Sequence, residues 1–163
     1  RHMRLVLGSD HAGLELKSAL VDHLRAAGHE VTDLGTHDGA SVDYPDYGAA
    51  VGRAVVEGRA ERGIAVCGSG IGIAIAANKV PGVRAATVHD ATSARLTREH
   101  NDANVICLGQ RLTGVQVALD AVDAYLAARF EGGRHAGRVD KIAALEATAA
   151  RPLGEPASHK EQT

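Results

Sequence analysis

Short apolar runs and helical patterns alternate along most of the chain. Arg4-Leu5-Val6-Leu7-Gly8 reads as a first strand. Leu16, Ala19, Leu20, Leu24 and Ala27 then recur at helical spacing, ending on the C-cap signal of Gly28. Glu30-Val31-Thr32-Asp33-Leu34-Gly35 is the second strand, and Tyr47, Ala50, Val51, Ala54 and Val55 mark the second helix. Gly63-Ile64-Ala65-Val66-Cys67 is the third strand, followed by a glycine loop and a helix reaching Lys79. Val83 to Val88 forms the fourth strand, Ala91 to Glu99 the fourth helix, and Asn104 to Gly109 the fifth strand. A helix from Thr113 to Ala128 follows, with Val115, Leu119, Val122 and Leu126 on one face. Beyond Gly132-Gly133 a last helix is expected from Val139 to Ala149.

This alternation predicts an α/β fold, a Rossmann-like three-layer α/β/α sandwich with a five-stranded parallel sheet and an extra C-terminal helix. The extra helix has no sixth strand to serve, so it is expected to pack on a partner or cover a site. Residues 3–150 read as one domain, without internal repeat or interior linker. Residues 151–163, mixing Pro, Gly and charge, read as a loose tail. Arg1-His2 ahead of Met3 reads as an added remnant. In open parallel sheets ligands sit beyond the carboxyl ends of the strands, which directs attention to polar residues at strand exits.

Hydrophobic residues make up 45% of the chain but aromatic ones only 2%, so the core must be built from Ala, Val, Leu and Ile. A net charge of -2 provides no basic surface for nucleic acid, and no apolar run approaches a membrane span. Two cysteines, Cys67 and Cys107, do not make a disulfide framework, so a reducing cytoplasm is the expected location.

The chemistry concentrates in Cys67-Gly68-Ser69-Gly70-Ile71-Gly72. Ile73 stands where a dinucleotide fingerprint needs its third glycine and where a cysteine phosphatase needs its arginine. What remains is a set of backbone donors at a helix start, able to hold an oxyanion. The same glycines would serve close strand–helix packing alone. Cys67, at the strand exit beside those donors, would have its thiolate stabilised and could act as nucleophile or proton acceptor. Cys107, inside a strand, reads as structural. Asp10 and His11 follow the first strand, where Asp10 is either a helix cap or a site residue. His100, ending the fourth helix, is read with His11 at the ligand edge, either as an acid/base group or as a complement to the helix dipole. Arg111 follows the fifth strand, and Arg134 and Arg138 at i,i+4 could grip one phosphate. No Cys/His cluster has metal-ligand spacing, and Asp43 and Asp46 around Tyr44-Pro45 read as a turn rather than a cation site.

Taken together, these motifs resemble the B-type ribose-5-phosphate isomerases, a family that also includes enzymes acting on allose 6-phosphate or galactose 6-phosphate. The resemblance rests on Gly8-Ser9-Asp10-His11-Ala12-Gly13, Asp43-Tyr44-Pro45, the cysteine–glycine loop with Ile75-Ala76-Ala77-Asn78-Lys79, Arg98 to Asn104, Leu108 to Arg111, and Gly132 to Val139. It spans Met3 to Ala149 in order. It implies interconversion of D-ribose 5-phosphate and D-ribulose 5-phosphate through a cis-enediolate, without metal or organic cofactor. By resemblance Cys67 is the base, and Gly68, Ser69, Gly70, Ile71 and Gly72 hold the enediolate. His100 is the ring-opening acid, while Asp10, His11, Tyr44 and Asn101 contact the substrate. Arg111, Arg134 and Arg138 hold its phosphate. The last two are expected to reach a neighbouring subunit's pocket, implying a homodimer with shared sites, or a tetramer. One branch of the family uses a glutamate from the glycine loop as base; here that position is Ile73, so the cysteine branch fits.

Overall fold

The computed structural model describes residues 1–149, and the predicted tail over 151–163 lies outside them. Strands β1 (Arg4–Ser9), β2 (Glu30–Asp33), β3 (Arg62–Cys67), β4 (Ala85–Thr87) and β5 (Val105–Gly109) form one parallel sheet, ordered β2-β1-β3-β5-β4. The register pairs Ser9 with Val66 and Cys67 with Gly109, so the exits of β1, β3 and β5 lie at one edge. The connecting helices are α1 (Leu14–Ala26), α2 (Tyr44–Val56), α3 (Ile71–Ala77), α4 (Ala91–Asn101) and α5 (Val115–Ala127), followed by α6 (Arg134–Ala149).

Alternation along the strands builds two cores. Leu5, Leu7, Ile64, Val66, Ile106 and Leu108 face one way and pack with Leu16, Leu20 and Leu24 of α1 and Ala118, Ala121 and Val122 of α5. Val6, Ala65, Cys67, Val105 and Cys107 face the other way, against Val51 and Ala54 of α2 and Ile73, Ala74 and Ala77 of α3. From β1 the chain steps outward to β2 and then crosses back to β3, so the order reverses between β1 and β3. That reversal opens a crevice at their carboxyl ends.

Several boundaries differ from the sequence reading. α2 begins at Tyr44 instead of following a turn: Asp43 is its N-cap and Pro45 occupies the first turn, where a missing N–H and a fixed φ suit a helix start. α6 begins at Arg134, directly after Gly132 and Gly133 (φ 62° and 54°) reverse the chain, so Arg134 and Arg138 both lie on the helix. The buried face of α5 is Ala118, Ala121, Val122 and Tyr125, whereas Val115 is exposed. Tyr125 explains this roll, because its buried hydroxyl donates to the Ala103 carbonyl at 2.8 Å.

Lys17 was not among the helical apolar positions, yet it is 1% exposed. Its Nζ donates to Asp33 Oδ1 at 2.8 Å and to the Thr36 carbonyl at 2.5 Å, tying α1 to the chain leaving β2. Removing one partner of such a pair strands a buried charge and typically costs about 3–5 kcal/mol, whereas an apolar replacement of the charge is far milder. Asp33→Ala should therefore lower the urea unfolding free energy by about that amount, with Lys17→Met losing clearly less.

Candidate active site

At the crevice between β1 and β3, a cleft of about 330 Å³ is lined by Asp10, His11, Tyr44, Cys67, Gly68, Ser69, Gly72 and Arg111, with Ala12 and Leu112. Its floor is the loop leaving β3. Cys67 is buried, and Gly70 N–H donates to its Sγ at 3.1 Å. A backbone donor directed at sulfur stabilises negative charge there. Ser69 Oγ accepts from Ile71 N–H at 3.2 Å. The N–H groups of Ser69 and Gly72 meet no protein acceptor among the described residues and remain available to an oxyanion.

Glycine is required at two of these positions. Gly70 has φ +75°, and a Cβ there would stand 2.8 Å from the Leu108 carbonyl carbon. A Cβ at Gly109 would stand 2.4 Å from the Ser69 carbonyl carbon. The loops leaving β3 and β5 therefore touch backbone to backbone, and two hydrogen bonds join them: Gln110 N–H to the Cys67 carbonyl (2.9 Å) and Arg111 N–H to that of Gly68 (3.0 Å). Thr87 Oγ1 donates to the Gly70 carbonyl at 2.7 Å. This seam brings the exposed Arg111 guanidinium over Gly68, where an added Cβ would meet its Nη1 at 3.3 Å.

The loop leaving β1 supplies the opposite wall. Asp10 Oδ1 accepts from Gly13 N–H at 3.1 Å, so Asp10 caps a short 3-10 turn over His11–Gly13 while also lining the cleft. His11 Nδ1 accepts from Val42 N–H at 3.1 Å. In the neutral ring that places the proton on Nε2, a donor for a sugar hydroxyl or phosphate. The tyrosine ring of Tyr44 packs against the first turn of α3, 2.6 Å from where a Cβ of Gly72 would stand.

The remaining predicted site residues form a second group elsewhere. His100 and Asn101 end α4, just before β5 begins at Val105, whereas Cys67 pairs with Gly109 at the far end of β5. Four strand steps of ~3.3 Å separate these levels, so within one chain His100 belongs to the opposite edge from His11. This corrects the reading that put both at the ligand edge; a helix C-terminus precedes the next parallel strand and so faces the strands' amino ends. Arg134 and Arg138 share this neighbourhood, exposed on one face of α6 and without a hydrogen-bond or ion-pair partner among the described residues. Beside them His135, which the sequence reading did not single out, is buried and stacks on His100 with ring centroids 4.3 Å apart and planes 13° apart. Glu131 lies 3.7 Å from His135 Nε2. These three donors are close enough for a metal, but stacked rings direct their lone pairs in parallel rather than at one point.

A family model described as Ribose/Galactose Isomerase matches residues 5–142, and the chain belongs to that family. The chain is 46% identical over 143 residues to ribose-5-phosphate isomerase B of Escherichia coli K12, covering 88% of this chain and 96% of that one. It is 42% identical over 146 residues to the D-erythrulose-4-phosphate isomerase of Pectobacterium atrosepticum, with 88% and 95% covered. Among solved structures, ribose-5-phosphate isomerase B of Clostridium thermocellum superposes with a TM-score of 0.90 at 53% identity, covering 91% of this chain and all of that one.

Two outcomes follow from this geometry. Iodoacetamide should alkylate Cys67, which opens on the cleft, and spare Cys107, whose thiol is fully enclosed and pushed far up in pKa by burial, then by Cys67; peptide mass mapping reads the difference. His135 is held below the ordinary imidazole range by burial and then by His100. The unfolded chain therefore binds its proton first, so stability is lost as pH falls through about 6.5. Denaturation midpoints at pH 7.5 and 5.5 should differ less in His135→Phe than in the parent.

Proposed function

We propose that the protein is an aldose–ketose isomerase interconverting D-ribose 5-phosphate and D-ribulose 5-phosphate, in the non-oxidative branch of pentose phosphate metabolism. The observation carrying this reading is a thiol and unpaired amide donors facing one cleft of sugar-phosphate size. Cys67 takes the proton from C2 of the opened sugar and returns it at C1. Negative charge moving onto the C1 and C2 oxygens in the cis-enediolate is met by the loop from Gly68 to Gly72, through the amides of Ser69 and Gly72 that have no partner among the described residues, with the Ser69 hydroxyl beside them. Such fixed donors act where charge develops, and loss of one typically costs ~10²–10³ in rate. Asp10, His11 and Tyr44 orient the sugar, and Arg111 holds its phosphate. The scheme draws on side chains and backbone alone.

The second group completes this site from a second copy of the chain. Ile71 and Ile75 on α3 and Ile142 and Leu145 on α6 are exposed. Between β4 and α6 runs a groove of about 480 Å³ lined by Val83, Ala85, Ile142 and Leu145, with Asn101 in its wall. A two-fold axis seating the partner's α3 in this groove buries both apolar sets at once and repeats the contact in reverse. It brings His100 of the partner subunit to the sugar ring as the acid of ring opening, with the partner's Asn101 as a further substrate contact. Arg134 and Arg138 of the partner subunit reach the phosphate opposite Arg111. Among the described residues no helix is long and apolar enough to cross a membrane. Dependence on a free thiol fits a reducing compartment, the cytoplasm.

Cys67→Ala should reduce turnover by about 10²–10⁴ or more while sugar-phosphate binding, followed by calorimetry, stays within a few-fold. Near-native turnover in that variant would overturn the assignment of the base. Mixing Cys67→Ala with Arg134→Ala/Arg138→Ala protein should restore about a quarter of native activity, because random exchange makes half the dimers hybrid, each with one intact site of two. No recovery despite demonstrated exchange would refute shared sites. Val42 N–H holds the His11 ring, which with Tyr44 lines a cleft of only about 330 Å³. Turnover on ribose 5-phosphate should accordingly exceed that on allose 6-phosphate.

A further inference from the structure

A second cavity lies at the opposite edge of the sheet, where β1, β3 and β5 begin. It measures about 340 Å³, the size of the active-site cleft, and its walls include Met3, Arg62, Arg98, Leu126, Arg129 and Phe130. Arg1 is also in its wall and pairs with Glu61. No histidine, cysteine, carboxylate or hydroxyl lines it, so it carries no acid/base chemistry.

Its charge is unbalanced. Arg98 is 7% exposed; Nη1 donates to the Ala103 carbonyl at 2.8 Å and Nη2 pairs with Asp102, but Nε is buried with no partner. Asp102 is shared, since Arg84 also binds it at 3.2 Å. Arg62, half-buried, makes one side-chain hydrogen bond, to the Glu61 carbonyl at 2.7 Å, and no ion pair among the described residues. The Glu61 carboxylate accepts from Arg4 N–H and makes no ion pair with Arg62 among the described residues. Arg129 has neither hydrogen bond nor ion pair among the described residues. The cavity wall thus carries Arg62, Arg98 and Arg129 with no carboxylate in it, and the nearest acid on Arg98, Asp102, is shared with Arg84. Burial, and after it the neighbouring Arg98, hold the Arg62 pKa below the ordinary guanidinium range. Arg98 is buried, Arg62 half-buried and Arg129 exposed at the mouth, and positive charge gathered in this way is normally compensated by an opposing charge.

We infer that this cavity is a second anion site, taking a small phosphorylated molecule whose phosphate is held by Arg62 and Arg129, with the buried charge of Arg98 behind them. The planar forks of these side chains match phosphate oxygens in bidentate fashion, and the cluster's surplus of charge suits a dianion better than a carboxylate. Met3, Leu126 and Phe130 provide an apolar wall for the uncharged part of the ligand. Without an acid or base the site binds and does not turn over. It is therefore separate from the isomerase cleft in both place and chemistry, and holds whether or not that activity is as proposed.

Titration calorimetry of the full chain with inorganic pyrophosphate at low ionic strength tests this, using the parent, R62Q/R129Q and Arg111→Gln. The expected result is a binding event weakened at least tenfold in R62Q/R129Q and retained in Arg111→Gln, with KM for ribose 5-phosphate unchanged in R62Q/R129Q. In the parent, the Met3 and Leu126 methyl resonances should shift on titration. An isotherm unchanged in R62Q/R129Q, or abolished entirely by Arg111→Gln, overturns the site. Should the double variant fail to fold, the parent decides: motionless Met3 and Leu126 resonances at saturating pyrophosphate are equally fatal to it.

Discussion

The close approach of two backbones, at the exits of β3 and β5, governs the rest of the site. Ser69 and Gly109 come too near for any side chain between them, and the hydrogen bonds of Gln110 and Arg111 close the seam. Cys67 stands immediately before it on one strand and Arg111 immediately after it on the other. Their separation is thus set by sheet register rather than by loop conformation. Amides held in this way need no reorganisation when charge arrives, which is the condition under which fixed dipoles are most effective. The thiol and the cation are consequently parts of one rigid object.

Much of this architecture was legible in the sequence. Strand and helix periods, the order of elements and the glycine loop all followed from patterns that are local in the chain. What escaped depends on long-range placement. Lys17 breaks the apolar stripe of α1, and only the later residues Asp33 and Thr36 explain why a charge can sit there. His135 carries no signal of its own in the sequence, and only the placement of α6 brings it onto the His100 ring. The extra turns of α6 were missed because Gly132-Gly133 was read as a longer interruption, although two left-handed residues suffice to start a helix at once.

The division of the site residues has a topological cause. In a parallel sheet each crossover helix ends at the edge opposite to the one where its preceding strand ended. Chemistry placed at the end of α4 can therefore never meet chemistry at the end of β3 within one chain of this length. An extra helix leaning on α4 carries two arginines to the same neighbourhood, so the second group is itself a coherent half-site. The proposed pairing of copies turns this apparent misplacement into complementarity, with each chain carrying the half that its neighbour lacks. The arginine cavity also lies at the amino edge of the sheet, with walls from the end of α4, the segment closing α5 and the strand starts, and it shares no lining residue with the cleft.

The enclosure of Cys67 has a bearing on chemical ageing. Its sulfur faces outward only through the cleft, and the opposite side is closed by Ile73 and the aliphatic layer under α2 and α3. A molecule seated in the cleft therefore stands between the sulfur and any dissolved peroxide. Occupied protein is sheltered against sulfenic acid formation, and idle protein is not.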